Sequence, residues 1–279
     1  MSDPYIEIAH QFPNEVRVGG ALITLVEPHP GFEAAYNRWY EDDHFYSGAM
    51  AGPWVFSGRR FVATRNLRTQ RSAVSSPIAV PADSGCYLSV YWITAGQEER
   101  AERWGYHAMA DSLAPHGRGF GERTHVYTTF HRFQWAVSRQ AGPLRPETVL
   151  DHPFGGLHMD VLDAVDERGF TSLSEWLRRD GVPAALTGSG AAMCVAFSPV
   201  PFAQGLIQTD DPGSVPEPEG VGRQLCLLWF LDHQPLDGSS SLVSALHEQV
   251  PTEAQGELRF SGSFLPTVPG TDRFVSELR

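Results

Sequence analysis

The stretch ALITLVEPHPGFEAAYNRWYEDDHFYS, residues Ala21–Ser47, sets an apolar run, a Pro/Gly breaker and an amphipathic run end to end. Ala21–Glu27 contains Ile23, Thr24 and Val26, which suit a pleated strand. The breaker PHPG stops it, and Phe32 to about Ser47 has helical spacing of its apolar residues. Outward from this strand and helix, Trp54–Thr64 (WVFSGRRFVAT) reads as extended and Leu67–Asp83 as a polar Pro/Ser-containing connection. Cys86–Ile93 (CYLSVYWI) is a further strand. Gln97–Leu113 has good helix formers and ends near Pro115 and Gly117, and Thr124–Trp135 is the next strand. The order β-α-β-β-α-β is that of a ferredoxin-like unit.

The second half predicts the same order. Its strands are Leu157–Asp163, Ala191–Ser198, Leu225–Asp232 and Glu257–Leu265, and its helices are Phe170–Arg179 and Ser239–Gln249. Gly31-Phe32 corresponds to Gly169-Phe170 at an offset of 138, Trp39 to Trp176 at 137, and Cys86 to Cys226 at 140. The expected organisation is therefore α+β, with two ferredoxin-like halves in tandem, residues 1–140 and 154–279. Ser138–Pro153, marked by Pro143, Pro146 and Pro153, forms the linker. A four-stranded antiparallel sheet with helices on one face leaves its other face uncovered, so the two sheets are expected to close face to face around a cavity lined by strand side chains.

Composition removes several classes of function. All 21 basic residues of the 279 are arginine. With no lysine amine, Schiff-base, pyridoxal-linked and P-loop chemistries are excluded. The net charge of −12 disfavours nucleic acid as a partner. No apolar run approaches the roughly 18–20 residues of a membrane span. The opening MSDPYIEIAHQFPNE has neither the basic start nor the apolar stretch of a signal peptide, so a cytoplasmic location is expected. Cys86, Cys194 and Cys226 are widely spaced and read as core residues. The charged fraction of 19% leaves room for a buried interface such as a homodimer.

Two stretches, GFEAAYNRWYEDDHF and AGPWVFSGRRFVATR, carry a resemblance. A helix with Trp39-Tyr40, the acids Glu41, Asp42 and Asp43 and then His44 precedes Pro53 and a strand with Arg59 and Arg60. This resembles the dimeric α+β barrel superfamily and, within it, EthD-like members, over about 35 residues directly. The resemblance implies a pseudo-dimeric α+β barrel formed by a tandem duplication in one chain. The superfamily includes cofactor-free cyclases, lactone isomerases, quinone-forming monooxygenases and haem enzymes, so it implies a fold more than a reaction. At the 137 offset His44 maps to Gly181 and Tyr40 to Leu177, so the first half is expected to keep the site and the second to be a degenerate copy.

Tyr36, Tyr40 and His44 fall at i, i+4 and i+8 of the helix and share one stripe. A neutral His44 suits proton abstraction near pH 7, Tyr40 orientation of a substrate oxygen or return of a proton, and Asp43 or Asp42 fixing of the imidazole tautomer. An aromatic core stripe is the competing reading. Trp39, Arg59, Tyr87, Tyr91, Tyr127 and His131 join Tyr36 as candidate substrate-binding residues. In Thr124–Trp135, simple alternation puts His125, Tyr127, Thr129, His131 and Phe133 on one face. Clustered metal-binding spacing is absent, so no cofactor is expected. A haem on His44, His107, His131 or His158, or a non-haem metal on His44, is the alternative. The glycine runs HGRGFGE and TGSGAAM are incomplete dinucleotide fingerprints. The function expected is a cofactor-independent cyclase, dehydratase or isomerase of a hydrophobic oxygenated small molecule, polyketide-like or aromatic. The alternatives are a monooxygenase of phenolic substrates and a non-catalytic binding protein.

Overall fold

Every strand expected from the sequence forms in the computed structural model, which describes residues 7, 15–71, 78–187, 189–203, 218–235 and 251–279. The strands are β1 Val18–Pro28, β2 Val55–Val62, β3 Tyr87–Thr94, β4 Arg123–Ser138, β5 Gly156–Ala164, β6 Ala191–Pro199, β7 Gln224–Leu231 and β8 Gly256–Pro266. Their helices are α1 Glu33–Trp39, α2 Arg65–Thr69, α3 Glu98–His107, α4 Glu167–Trp176 and α5 Val182–Leu186. The short α2 starts ahead of the stretch Leu67–Asp83 read as a polar connection and runs into it. The helix expected over Ser239–Gln249 falls outside the described residues.

Strands of the first half pair as β4-β1-β3-β2 and those of the second as β8-β5-β7-β6, all antiparallel, and the two sheets join through β2–β8 and β6–β4 into one closed barrel. The fold is α+β, two ferredoxin-like halves forming a pseudo-dimeric α+β barrel within a single chain. The sheets meet edge to edge and curl, rather than lying face to face as two separate layers, because closure gives each edge strand a partner. The two seams are unequal. β4 and β6 run from His131↔Pro199 to Ser138↔Met193, whereas β2 and β8 pair at Phe61↔Pro266 and Val62↔Leu265.

The barrel interior is filled. Ile23, Leu25, Leu88, Val90 and Trp92 from one half meet Met159, Val161, Phe197, Leu228, Phe230, Phe260 and Phe264 from the other, all essentially inaccessible. The expected cavity between the sheets is thus taken up by packed side chains. The linker contributes as well: Val149 and Leu150 are buried in this cluster, and Trp92 Nε1 donates to the Pro146 carbonyl at 2.9 Å. Ser138–Pro153 is therefore part of the core instead of a loose connection.

Two further cores lie outside the barrel, each between a helix and a sheet. In the second half Leu173, Leu177, Val182 and Leu186 pack on Leu225, Leu227 and Trp229, and the buried His158–Asp160 pair shares that face, Asp160 accepting from Trp229 Nε1 at 2.8 Å. In the first half Tyr36, Tyr40, Tyr87 and Tyr91 occupy the equivalent layer. Cys86, just before β3, sits in this tyrosine layer, while Cys226 of β7 faces the barrel interior. Directly after Trp39 and again directly after Trp176 the α-helix widens into a π-helical coil, Tyr40–Met50 and Leu177–Gly181.

Candidate functional site

The helix–sheet layer of the first half brings most of the candidate residues together. Tyr36 and Trp39 come from α1, Tyr40, Asp43 and His44 from the π-helical coil, and Tyr87 and Tyr91 from the outward face of β3. Within an i→i+5 coil, residues four apart still lie nearly one above the other, so the stripe survives the change of helix type. Tyr36 is 5.6 Å from Tyr40 and 5.4 Å from Tyr87 between ring centroids. The Tyr40 and Tyr91 hydroxyls share a hydrogen bond of 2.6 Å in a dry setting. Burial pushes the Tyr36 and Tyr91 phenols up, keeping both protonated.

His44 stacks on Trp39, with centroids 4.4 Å apart and planes 15° from parallel, and meets the Tyr40 ring edge-on at 5.0 Å. Its Nδ1 is buried and has no hydrogen-bond partner. Burial, aided by the Arg123 guanidinium, lowers its pKa from 6.5 to about 3, so the imidazole is neutral at physiological pH. Asp43 does not orient it. The Asp43 carboxylate pairs with Arg118 and accepts from Ser47 Oγ at 3.0 Å, and the Arg118 bond is the main cause of its lowered pKa.

Two arginines complete the layer, and neither is Arg59. The Arg59 guanidinium reaches the Leu150 carbonyl at 3.1 Å and that of His152, anchoring the linker on the barrel side of β2. Arg60, one residue on, points the other way. It lies 4.3 Å from the Tyr40 centroid and 4.9 Å from that of Tyr87, and Nη1 donates to Glu41 at 3.2 Å and Asn37 at 3.1 Å. Its Nε and Nη2 are buried without partners, as is the Tyr36 hydroxyl. Arg123 of β4 sits 5.0 Å from the Trp39 ring centroid, donates Nε to His125 Nε2 at 3.3 Å, and binds the Phe120 carbonyl. No carboxylate pairs with Arg123 among the described residues.

The candidates on β4 divide because the strand carries a bulge. Leu25 faces Tyr127 but Val26 faces His125, so Val126 is the additional residue and His125 turns outward toward Arg123. Tyr127 and His131 turn into the barrel, away from His44. There His131 Nδ1 donates to the Thr129 carbonyl at 2.9 Å, leaving Nε2 to accept from the Tyr127 hydroxyl at 2.6 Å. Gln224 Oε1 stands 3.2 Å from the same hydroxyl. Arg60, Arg123, His125 and Phe120 were not picked out as site residues from the sequence. The GRR pair points to Arg60, and alternation names His125 but on the wrong face, because it does not see the bulge.

Of the four histidines weighed for haem, His131 and His158 have both ring nitrogens engaged, His158 with Ser263, Asp160 and Ser261. His107 Nδ1 lies 2.7 Å from Asp111 at the surface. His44 is the one whose buried nitrogen is free. The described residues contain no group of three or more His, Cys, Asp or Glu placed to hold a metal ion. Beside His125, a cavity of about 330 Å³ opens among Glu27, Ile78, Val80, Ser84, Thr124 and Val126 at one end of the barrel.

The fold is a closed barrel whose first-half helix-side layer is built of tyrosines and whose second-half layer is largely aliphatic around a buried His158–Asp160 pair. No protein-family model matches the chain, and no curated protein matches it. Solved structures do resemble it. An anthrone oxidase-like protein is 10% identical with a TM-score of 0.47, covering 90% of this chain and 92% of its own. An encapsulated DyP-type peroxidase from Mycobacterium smegmatis is 12% identical with a TM-score of 0.47, covering 91% and 94%. No described helix is long and apolar enough to cross a membrane.

Proposed function

We propose that the chain is a small-molecule enzyme that removes a proton from a hydrophobic, oxygenated aromatic substrate, with His44 as the base. The observation carrying this reading is the buried, unpartnered Nδ1 of a neutral imidazole, flanked by Trp39 and Tyr40. A flat substrate would lie among the rings of Tyr36, Trp39 and Tyr87, and Arg60 and Arg123, which stand over the Tyr40, Tyr87 and Trp39 rings, would stabilise an oxyanion formed by proton loss. Formation of that anion also offsets the charge gained by His44, which an imidazole isolated among arginines could not otherwise carry. Tyr40, hydrogen-bonded to Tyr91, is assigned the return of the proton.

Cyclisation, dehydration and isomerisation follow from such an anion without a cofactor. Oxygenation is the second reading, favoured by the contiguous oxidisable rings Trp39, Tyr40 and Tyr91. An activated CH2 would combine with dioxygen to give a carbonyl and water. The proposal extends to an EthD-like first half, residues 1–140, and a duplicated second half, residues 154–279. It is supported by the shared α-to-π transition after Trp39 and Trp176 and by Leu177 standing where Tyr40 stands. The enzyme is proposed to work in the cytoplasm, alone or as a homodimer.

The test is deuterium exchange at the acidic CH2 of 2-tetralone in D2O, followed by proton NMR. Wild-type protein should accelerate exchange and His44→Ala should not. Equal exchange with both would remove His44 from the role. An oxygen electrode run on the same substrate then separates the two readings: oxygen uptake dependent on His44 selects oxygenation.

A further inference from the structure

The run HGRGFGE, His116–Glu122, packs against the His44 layer. Gly117 adopts φ +69°, a conformation that favours glycine, and Gly119 and Gly121 have open space where side chains would stand. Two contacts tie the loop down: Trp39 Nε1 donates to the Arg118 carbonyl at 2.9 Å, and Arg118 pairs with Asp43. Between the glycines, Phe120 turns inward. Its ring packs against Tyr36 at 5.6 Å and Trp39 at 5.4 Å, and its carbonyl oxygen is held by Arg123 Nη1. One residue of the loop thus packs its ring among the aromatics and gives its carbonyl to a half-buried guanidinium.

Arg123 is poorly served by that arrangement. Its other partners are the His125 ring and the face of Trp39, and burial lowers its pKa. A neutral carbonyl is a weaker acceptor for a guanidinium than an anionic oxygen, whose charge-assisted bonds are roughly twice as strong. In Phe120 the carbonyl carbon is joined to the ring through the two carbons Cβ and Cα. The same separation is found in a 3-arylpropanoate.

We propose that Phe120 occupies the place of the ligand, and that the site takes an aryl ring bearing a carboxylate or carbonyl two carbons away, gripped by Arg123 once the glycine loop lifts. Arg123 is then the residue that selects for an anionic substituent, and Asp43, through Arg118, a latch for the lid. The inference deepens the reading of the His44 layer as a substrate site and rests on it.

Isothermal titration calorimetry with 3-phenylpropanoate, 3-phenylpropanol and propanoate tests it. The carboxylate with its ring should bind, and the other two should bind at least ten-fold more weakly. Phe120→Ala should tighten 3-phenylpropanoate at least ten-fold by emptying the slot, and Arg123→Gln should weaken it by a similar factor. Unchanged affinity in Phe120→Ala, or equal binding of the alcohol, overturns the proposal. If Arg123→Gln does not fold, as judged by circular dichroism, the Phe120→Ala and ligand-series arms decide. Failure here while His44→Ala still abolishes deuterium exchange would remove the lid and anion assignments and leave the proton-transfer site standing.

Discussion

The imidazole of His44 lies where a side chain at Gly48 would have to be, since a Cβ built on Gly48 falls 2.4 Å from Nδ1 and 2.5 Å from Cε1. The ring packs down on the next turn of its own coil, and glycine is the residue that leaves room for it. Gly48→Ala should therefore push His44 off Trp39. We expect deuterium exchange to fall at least ten-fold with the fold retained, and His44→Ala in the Gly48→Ala background to cost nothing more. Additive losses would separate the two residues.

The hydroxyls of Tyr40 and Tyr91 serve each other. Tyr40→Phe or Tyr91→Phe alone leaves a buried hydroxyl without its partner, at a cost of about 1–3 kcal/mol. Removing both should cost less than the two single changes together. A double-mutant cycle by urea denaturation measures this coupling, and strict additivity would show that the hydrogen bond does not stabilise the fold.

Arg59 and Arg60 are adjacent and should behave differently. Glu41 and Arg60 form a dry ion pair, and Glu41 also takes the amide of Gly270 at 2.9 Å. Glu41→Gln should destabilise the protein by about 3–5 kcal/mol, because it strands a buried guanidinium. Arg60→Gln should depress exchange on 2-tetralone, whereas Arg59→Gln should leave it unchanged and loosen the linker, as read by amide hydrogen exchange at Leu150 and its neighbours.

Acid should weaken the fold well above the carboxylate range. Burial lowers the pKa of His131 from 6.5 to about 3, so below pH 6.5 the unfolded chain binds a proton that the folded chain refuses. The stability this neutral histidine contributes is full above pH 6.5 and is lost as pH falls toward 3. The loss is about 1.4 kcal/mol per pH unit once the difference is complete. Urea titrations at pH 7, 5.5 and 4.5 should give a shallower acid slope for His131→Gln, and an unchanged slope would refute its neutrality.

The sequence alone determined the local elements and their order. Alternation of apolar and β-branched residues marked all eight strands, and helical spacing marked the helix that begins at Glu33. Absence of lysine fixed which chemistries are excluded, because it is a property of composition and independent of folding. These are short-range signals, carried by neighbours a few residues apart.

Tertiary structure decided which residues meet. Alternation put His125 with Tyr127 and His131, but one additional residue at Val126 turns His125 to the helix side and leaves the other two in the barrel. Adjacent arginines in one strand necessarily face opposite ways, and only the placement of α1 and of the linker decides that Arg60 meets the tyrosines while Arg59 holds the linker. Barrel closure filled the space between the sheets and left the tyrosine layer and His44 outside it. These outcomes depend on pairing and packing between segments far apart in the chain, where a one-residue shift reverses every face, and no local pattern encodes them.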